Sequence, residues 1–185
     1  MYKVLLIVLA LSTLLLSGCA KDNVEHSNME PTNSVSSETE TAPVTISFET
    51  TDLEGNVVSS DIFSQSKLTM LNVWATYCNP CLSEMPGLGE LAAEYDAEEF
   101  QIIGIVSDVL VGEDQELLES LVQQTGANYT HLLLNESIYY ALLTDVSAVP
   151  TTFFLDENGT VLDTVVGAMQ KSAWEDKING LLEKL

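Results

Sequence analysis

The segment from Leu68 to Cys81, LTMLNVWATYCNPC, constrains this chain more than any other. Leu68 to Ala75 is mostly apolar, which suits a buried strand of a parallel sheet. The pair Cys78 and Cys81 follows at once, and a helix is expected from about Asn79 to Tyr95. The first thiol then stands at a helix N-terminus, where unpaired backbone N–H groups and the positive end of the helix dipole stabilise a thiolate. The thiolate is the nucleophilic form, so a lowered pKa makes the thiol useful. Cys81, three residues on, shares that helical face and is near enough to close a small disulfide ring. Pro80 fits between them, because an N–H in the first turn has no helical partner to lose. In such a site Cys78 attacks a partner disulfide and Cys81 resolves the mixed disulfide. Cys78 is expected to be the exposed sulfur and Cys81 the covered one.

Two other uses of a Cys-x-x-Cys pair compete. Structural zinc needs four ligands, and only Cys19 and two scattered histidines, His26 and His131, remain to complete a set. An inert structural disulfide is the second alternative, and the strand-to-helix placement argues against it.

The rest of the folded region begins near Val44. Residues Val44 to Phe48 alternate apolar and polar side chains, a half-buried strand signal. Leu53 to Asn56 reads as a turn, with Val57 and Val58 opening a second short strand. Further strands are predicted over Phe100–Val106, His131–Leu134, Thr151–Leu155 and Val161–Val166, the last two joined by a loop ending in Asn158-Gly159. Helices are predicted over Glu113–Thr125, closed by Gly126, over Ser137–Leu143, and over Lys171–Leu185 with Trp174, Ile178, Leu181 and Leu182 inward. This alternation gives an α/β fold, a mixed sheet with helices on both faces.

Ahead of the domain, residues 1–18 carry one lysine, Lys3, and an apolar stretch shorter than the roughly 20 residues a membrane-spanning helix needs. That is the pattern of a secretory signal peptide. Leu16-Ser17-Gly18-Cys19 resembles a bacterial lipobox, which implies that Cys19 is lipidated and becomes the mature first residue. Residues 19–43 then form a tether rich in Ser, Thr, Asn and Glu, too polar to offset the entropy of ordering and therefore expected to be disordered. The folded domain takes residues 44–185. The chain has 28 acidic residues against 6 lysines and no arginine, a formal net charge of −22. Phosphate binding needs clustered cations, so nucleic acid is excluded as a partner.

Several stretches together are similar to the TlpA/ResA branch of the thioredoxin superfamily. NVWATYCNPCLSEMP resembles that family's strand, active site and first helix, DLEGNVVSS its N-terminal hairpin, and Ser147 to Phe153 its loop with a cis-proline. Tyr77 stands where these proteins commonly carry tryptophan. The resemblance implies a thioredoxin-like fold with a central mixed sheet, flanking helices and an N-terminal hairpin extension. It implies that the Val149–Pro150 bond is cis and faces the cysteines. It also implies that Trp74, Tyr77, Asn79, Pro80, Val149 and Pro150 form the active-site loop and substrate-binding surface. Glu84, three residues after Cys81, matches an acidic residue that ResA-like proteins place beside the thiols. There it either raises the thiol pKa values or carries a proton to or from Cys81, although a solvated helix glutamate reads the same way in sequence. Pro86 matches the proline that kinks the first helix. Trp74 and Met85 also read as packing residues, and His131 as the cap of a strand edge.

The expected function is that of an extracytoplasmic, membrane-tethered thiol–disulfide oxidoreductase, most simply a reductase of protein disulfides. No cofactor or metal is needed beyond the Cys78–Cys81 redox disulfide itself. The resemblance implies disulfide-containing protein substrates such as apocytochrome c or a methionine sulfoxide reductase. Electrons would come from a membrane thiol transporter of the CcdA/DsbD kind. An oxidase or isomerase and a redox-inert binding lipoprotein are the alternatives. Peroxidase chemistry lacks the arginine it needs.

Overall fold

The computed structural model describes residues 45–185. The leader, Cys19, the tether and Val44 lie outside the described residues. Strand β3 (Leu68–Trp74) is buried at every position, as its composition predicts, and it forms the middle of a five-stranded sheet. The sheet order is β5-β4-β3-β6-β7, with β4 over Phe100–Leu110, β5 over Thr130–Leu134, β6 over Thr151–Asp156 and β7 over Val161–Val166. β3, β4 and β5 run parallel, whereas β6 is antiparallel to both β3 and β7. This is the thioredoxin-like arrangement that the resemblance implies.

Alternation along the strands sorts the core into two sides. Leu71, Val73, Ile103, Ile105, Leu132 and Leu155 pack with Ile138 and Leu142 of α3 (Glu136–Leu142). The opposite face carries α1 (Asn79–Glu94), α2 (Glu116–Thr125) and α4 (Lys171–Leu182) through Met85, Leu88, Leu118, Trp174 and Ile178. Pro86 lies inside α1, which runs on past it.

The first strand differs from its predicted place. Ile46 and Phe48 are buried and Thr45 and Ser47 exposed, so the alternation is real. The pairing nevertheless begins only at β1 (Glu49–Thr51), which forms an antiparallel hairpin with β2 (Val57–Ser59). Before it the chain is held by a single bridge from Thr45 to Thr160, by the bond from Ile46 N–H to the Gly159 carbonyl, 3.0 Å, and by Ser60 N–H on the Phe48 carbonyl, 3.0 Å. The hairpin turns at Gly55, φ +88°, a left-handed conformation suited to glycine. It docks on the outer edge of β5, where Leu53 N–H reaches the His131 carbonyl (2.9 Å) and Thr50 Oγ1–H the Leu133 carbonyl (2.7 Å).

Three further boundaries shift. β4 continues past Val106 to Leu110, because pairing with β5 resumes at Leu134 after a register break. α2 starts at Glu116 rather than Glu113, since Glu113 and Asp114 spend their carboxylates on the backbone N–H groups of Leu110 and Glu116. α4 stops at Leu182, three residues short of its expected end.

One row across the sheet is polar. Thr152, Asn72, Gly104 and His131 are successive partners on β6, β3, β4 and β5, and they lie under α1 and α2. Gly104 is the gap that admits the His131 ring: a Cβ there meets Nδ1 at 2.3 Å and the Trp74 Nε1 at 3.1 Å. Gly104→Ala should therefore destabilise the fold by about 2 kcal/mol through overpacking. Urea unfolding of the variant beside the wild type reads this directly, and a loss within about 0.5 kcal/mol would be that of an ordinary surface change.

Candidate active site

The turn from β3 into α1 is held from the side by β4. Ser107 Oγ–H donates to the Trp74 carbonyl at 2.9 Å. The Asp108 carboxylate accepts the Thr76 N–H at 3.0 Å and the Thr76 hydroxyl as well. Cys78 N–H closes the turn on the Ala75 carbonyl, 3.0 Å. Cys78 is the N-cap of α1, and its Sγ accepts the Cys81 N–H at 3.2 Å. A backbone donor is thus already aimed at the sulfur, and a negative charge there strengthens the bond. Cys78 and Cys81 are joined in a disulfide.

Cys78 is 5% exposed and Cys81 0%. The order matches expectation, but Cys78 is far less open than expected, because it packs in a cluster with Trp74, Cys81 and Met85 to which Val149 adds cover. Tyr77, by contrast, is 73% exposed, and Asn79 and Pro80 are exposed beside it. Trp74 requires a correction. It is wholly buried as the last residue of β3, so its expected place on the substrate-binding surface gives way to a role in the core.

The Val149–Pro150 peptide is cis. Its loop is tied down by Thr151 Oγ1–H to the Ala148 carbonyl (2.7 Å) and by Gly167 N–H to the Pro150 carbonyl (2.8 Å). Between this loop and Tyr77 lies a groove of about 250 Å³ lined by Leu134, Tyr139, Leu143, Val146 and Val149. Tyr139 and Leu143 belong to α3 and the turn after it, and no motif in the sequence marks them for this position.

Glu84 is not a solvated helix residue. It is 6% exposed and faces the sheet from α1. Its Oε1 accepts from Asn72 Nδ2 at 3.0 Å, and its Oε2 accepts from the Met169 N–H at 3.0 Å and from Trp174 Nε1 at 3.2 Å. Asn72 Nδ2 also donates to Thr152 Oγ1, 3.0 Å. Burial raises the Glu84 pKa above the ordinary carboxylate range, against the opposing pull of these three donors. Asn72, Thr152 and Trp174 are functional neighbours that motif reading overlooked. The available signal was an asparagine inside the mostly apolar LTMLNVW.

His131 does not cap a strand edge. It is buried, with Nε2–H donating to the Ala127 carbonyl at 2.9 Å and Nδ1 accepting from Trp74 Nε1 at 3.3 Å. Both ring nitrogens are satisfied by the neutral form, and burial lowers its pKa to about 4. Tyr129 stacks on it at 4.6 Å. The Tyr129 hydroxyl is buried without a hydrogen-bond partner, and its pKa is raised by burial and by the charge of Glu84. Among the described residues no group of three or more His, Cys, Asp or Glu is placed to hold a metal ion.

This geometry finds company among known proteins. A family model described as the AhpC/TSA family matches residues 40–164. The chain is 29% identical to the thiol-disulfide oxidoreductase ResA of Bacillus anthracis over 139 residues, 75% of this chain and 74% of the relative. It is 29% identical to the thiol:disulfide interchange protein DsbE of Escherichia coli K12 over 136 residues, 74% of this chain and 69% of the relative. The crystal structure of a thioredoxin-family thiol:disulfide interchange protein from Chlorobium tepidum superposes with a TM-score of 0.65, covering 77% of this chain and 99% of that one. At 23% identity, that likeness speaks for the fold.

Glu84 and His131, both buried, pull stability in opposite directions with pH. Glu84 binds its proton more tightly folded than unfolded, so its contribution is present at acid pH and lost as pH rises through its folded value. His131 binds its proton less tightly folded, so its contribution is full above about 6.5 and lost as pH falls toward about 4. Glu84→Gln removes only the first effect. Its stability in urea should equal that of the wild type at the acid end and exceed it increasingly as pH rises, whereas a constant offset would show that the carboxylate is not desolvated.

Proposed function

The chain belongs to the AhpC/TSA family, and from that footing we propose that it reduces disulfides of proteins outside the cytoplasm. It is a thiol–disulfide oxidoreductase. The observation that carries the roles proposed here is Cys78 at the N-cap of α1, with the Cys81 N–H on its sulfur and a buried carboxylate one turn beyond Cys81. The reducing direction is supported by Pro80 before Cys81, as in the thioredoxin and ResA pattern that the chain resembles.

In the dithiol form the Cys78 thiolate attacks one sulfur of a partner disulfide. A bond forms between Cys78 Sγ and that sulfur, the partner S–S bond breaks, and the second partner sulfur leaves as a thiolate. Cys81 then attacks Cys78 Sγ, releasing the partner's other thiolate and closing the Cys78–Cys81 disulfide. Two electrons pass from the cysteine pair to the partner. For the second step Cys81 must lose its proton, and Glu84 is the group on its own helical face to take it. The raised pKa of Glu84 brings its proton affinity closer to that of a thiol, which eases transfer in either direction.

The partner strand is read by the exposed Tyr77, by Asn79 and Pro80, and by the backbone around Val149 and Pro150, with the groove toward α3 taking an apolar side chain. Candidate substrates are apocytochrome c and a methionine sulfoxide reductase, with a membrane thiol transporter of the CcdA/DsbD kind returning electrons. A lipid on Cys19 keeps the domain at the extracytoplasmic face of the membrane near that donor. The Leu16-Ser17-Gly18-Cys19 sequence supports this tether.

Equilibration of the whole chain in detergent against redox buffers gives the potential of the pair. A midpoint at about −270 mV or lower is expected for a reductase, and one near about −120 mV would instead make the protein an oxidase. Cys81→Ser should accumulate a mixed disulfide on Cys78 that gel shift under non-reducing conditions detects, and Cys78→Ser should form none.

A further inference from the structure

We propose that Asn72 is the positioning residue for the proton that Glu84 takes up, its amide turning over when that proton arrives on Oε1. The inference rests on the reading of Glu84 as the proton acceptor of Cys81 and adds where the proton sits and what accommodates it.

The two oxygens of Glu84 have unlike company. Oε2 meets a backbone N–H, that of Met169, and an indole N–H, that of Trp174. Both are obligate donors, and neither has a lone pair to accept from a carboxylic acid. A proton on Oε2 would take a lone pair that one of these N–H groups uses, displacing that bond and finding no acceptor for its own hydrogen. Oε1 meets only the side-chain amide of Asn72, which carries donors at one end and an acceptor at the other. Protonation is thereby confined to Oε1.

The Asn72 side chain is set for the ionised state. Its Nδ2 divides its two hydrogens between Glu84 Oε1 and Thr152 Oγ1, both at 3.0 Å, while its buried Oδ1 has no partner at all. A half-turn of the amide reverses this. Oδ1 then stands where Nδ2 was, accepting the O–H of the protonated Glu84 and the hydroxyl hydrogen of Thr152, while Nδ2 takes the place where Oδ1 had no partner, a cost that the bond from the carboxylic acid offsets. Thr152 serves either state, since a hydroxyl both donates and accepts. The amide is wholly enclosed between the sheet and α1, so it cannot trade one partner for water. It must choose between the two orientations, and the protonation of Glu84 makes the choice.

The surroundings leave this pairing alone. Cys81 lies one turn away on α1. From β5 comes the neutral His131, whose nitrogens are engaged by Ala127 and Trp74, and from the residue just before β5 the Tyr129 hydroxyl. Lys171, at the start of α4, is held by Glu90 and Glu94. None of these makes a hydrogen bond to Glu84 Oε1.

The test is a pH titration of the isotope-labelled whole chain in detergent micelles. It follows the Glu84 carboxyl carbon and the Asn72 side-chain amide together. The expected result is one shared midpoint, with the contact from the Nδ2 hydrogens to the Thr152 side chain present above it and lost below it. Glu84→Gln, whose own amide can present N–H to Asn72 Oδ1, should show the turned orientation at every pH. In Asn72→Leu the Glu84 midpoint should rise by about one pH unit, because the bond lost from the ionised form is roughly twice as strong as the one lost from the neutral form. An amide that keeps its contact with Thr152 through the titration, or a midpoint unmoved in Asn72→Leu, would overturn the proposal. Because none of these readings involves turnover, they stand apart from the proton-acceptor role, which fails if Glu84→Gln reduces substrates at the wild-type rate across pH.

Discussion

A carboxylate with no countercharge beside it lies under the first helix, and much of this molecule is arranged to tolerate it. Glu84 is bound only by N–H donors, drawn from the central strand, from the Met169 backbone ahead of α4 and from α4 itself. Each donor belongs to a different element, so losing the register of any one of them leaves a buried charge partly unsatisfied, at a cost of several kcal/mol. The arrangement is costly compared with an apolar residue at that position. On the function proposed above, what it gives in return is a proton acceptor kept out of water one helical turn from Cys81.

The strand-to-helix junction makes the complementary arrangement for the other sulfur. Positive potential at the start of α1 comes from backbone N–H groups, because no Lys or Arg lies near the pair in sequence. Asp108 clamps the turn at Thr76 and adds negative charge close by. The Cys78 environment is therefore a balance between helix dipole and carboxylates, which is how a fold tunes a thiol without spending a cation on it. The clamp fixes the backbone from which Cys78 projects, while Tyr77 is left exposed at the surface.

Much of this was legible in the chain. LTMLNVW gave the central strand, Cys78-Asn79-Pro80-Cys81 the helix start and the chemistry, and Val149-Pro150 the loop, because each depends on local periodicity or on a spacing that backbone geometry enforces. Glu84 was visible but ambiguous, since i,i+3 spacing from Cys81 fixes its side of the helix and not whether water reaches it. The bonds it makes are not legible from spacing, although the asparagine within LTMLNVW is a signal for one of them. Asn72, Thr152 and Trp174 are separated from Glu84 by 12 residues or more and meet only through strand pairing and helix docking. His131 was misread for the same reason: its burial depends on the gap at Gly104, a neighbour in the sheet and not in the sequence. Trp74 was drawn outward by its nearness to the cysteines, although strand alternation sends its side chain into the core.

Both tryptophans of the chain, Trp74 and Trp174, are fully buried, and each gives its indole N–H to a group that titrates. Trp74 bonds to His131 and packs in the cluster that holds the Cys78–Cys81 disulfide, whereas Trp174 bonds to Glu84. The protein thus carries two built-in optical probes with distinct environments. The emission of Trp74 is expected to follow the redox state of the sulfurs, and that of Trp174 the charge on the carboxylate, so both can be followed in unlabelled protein.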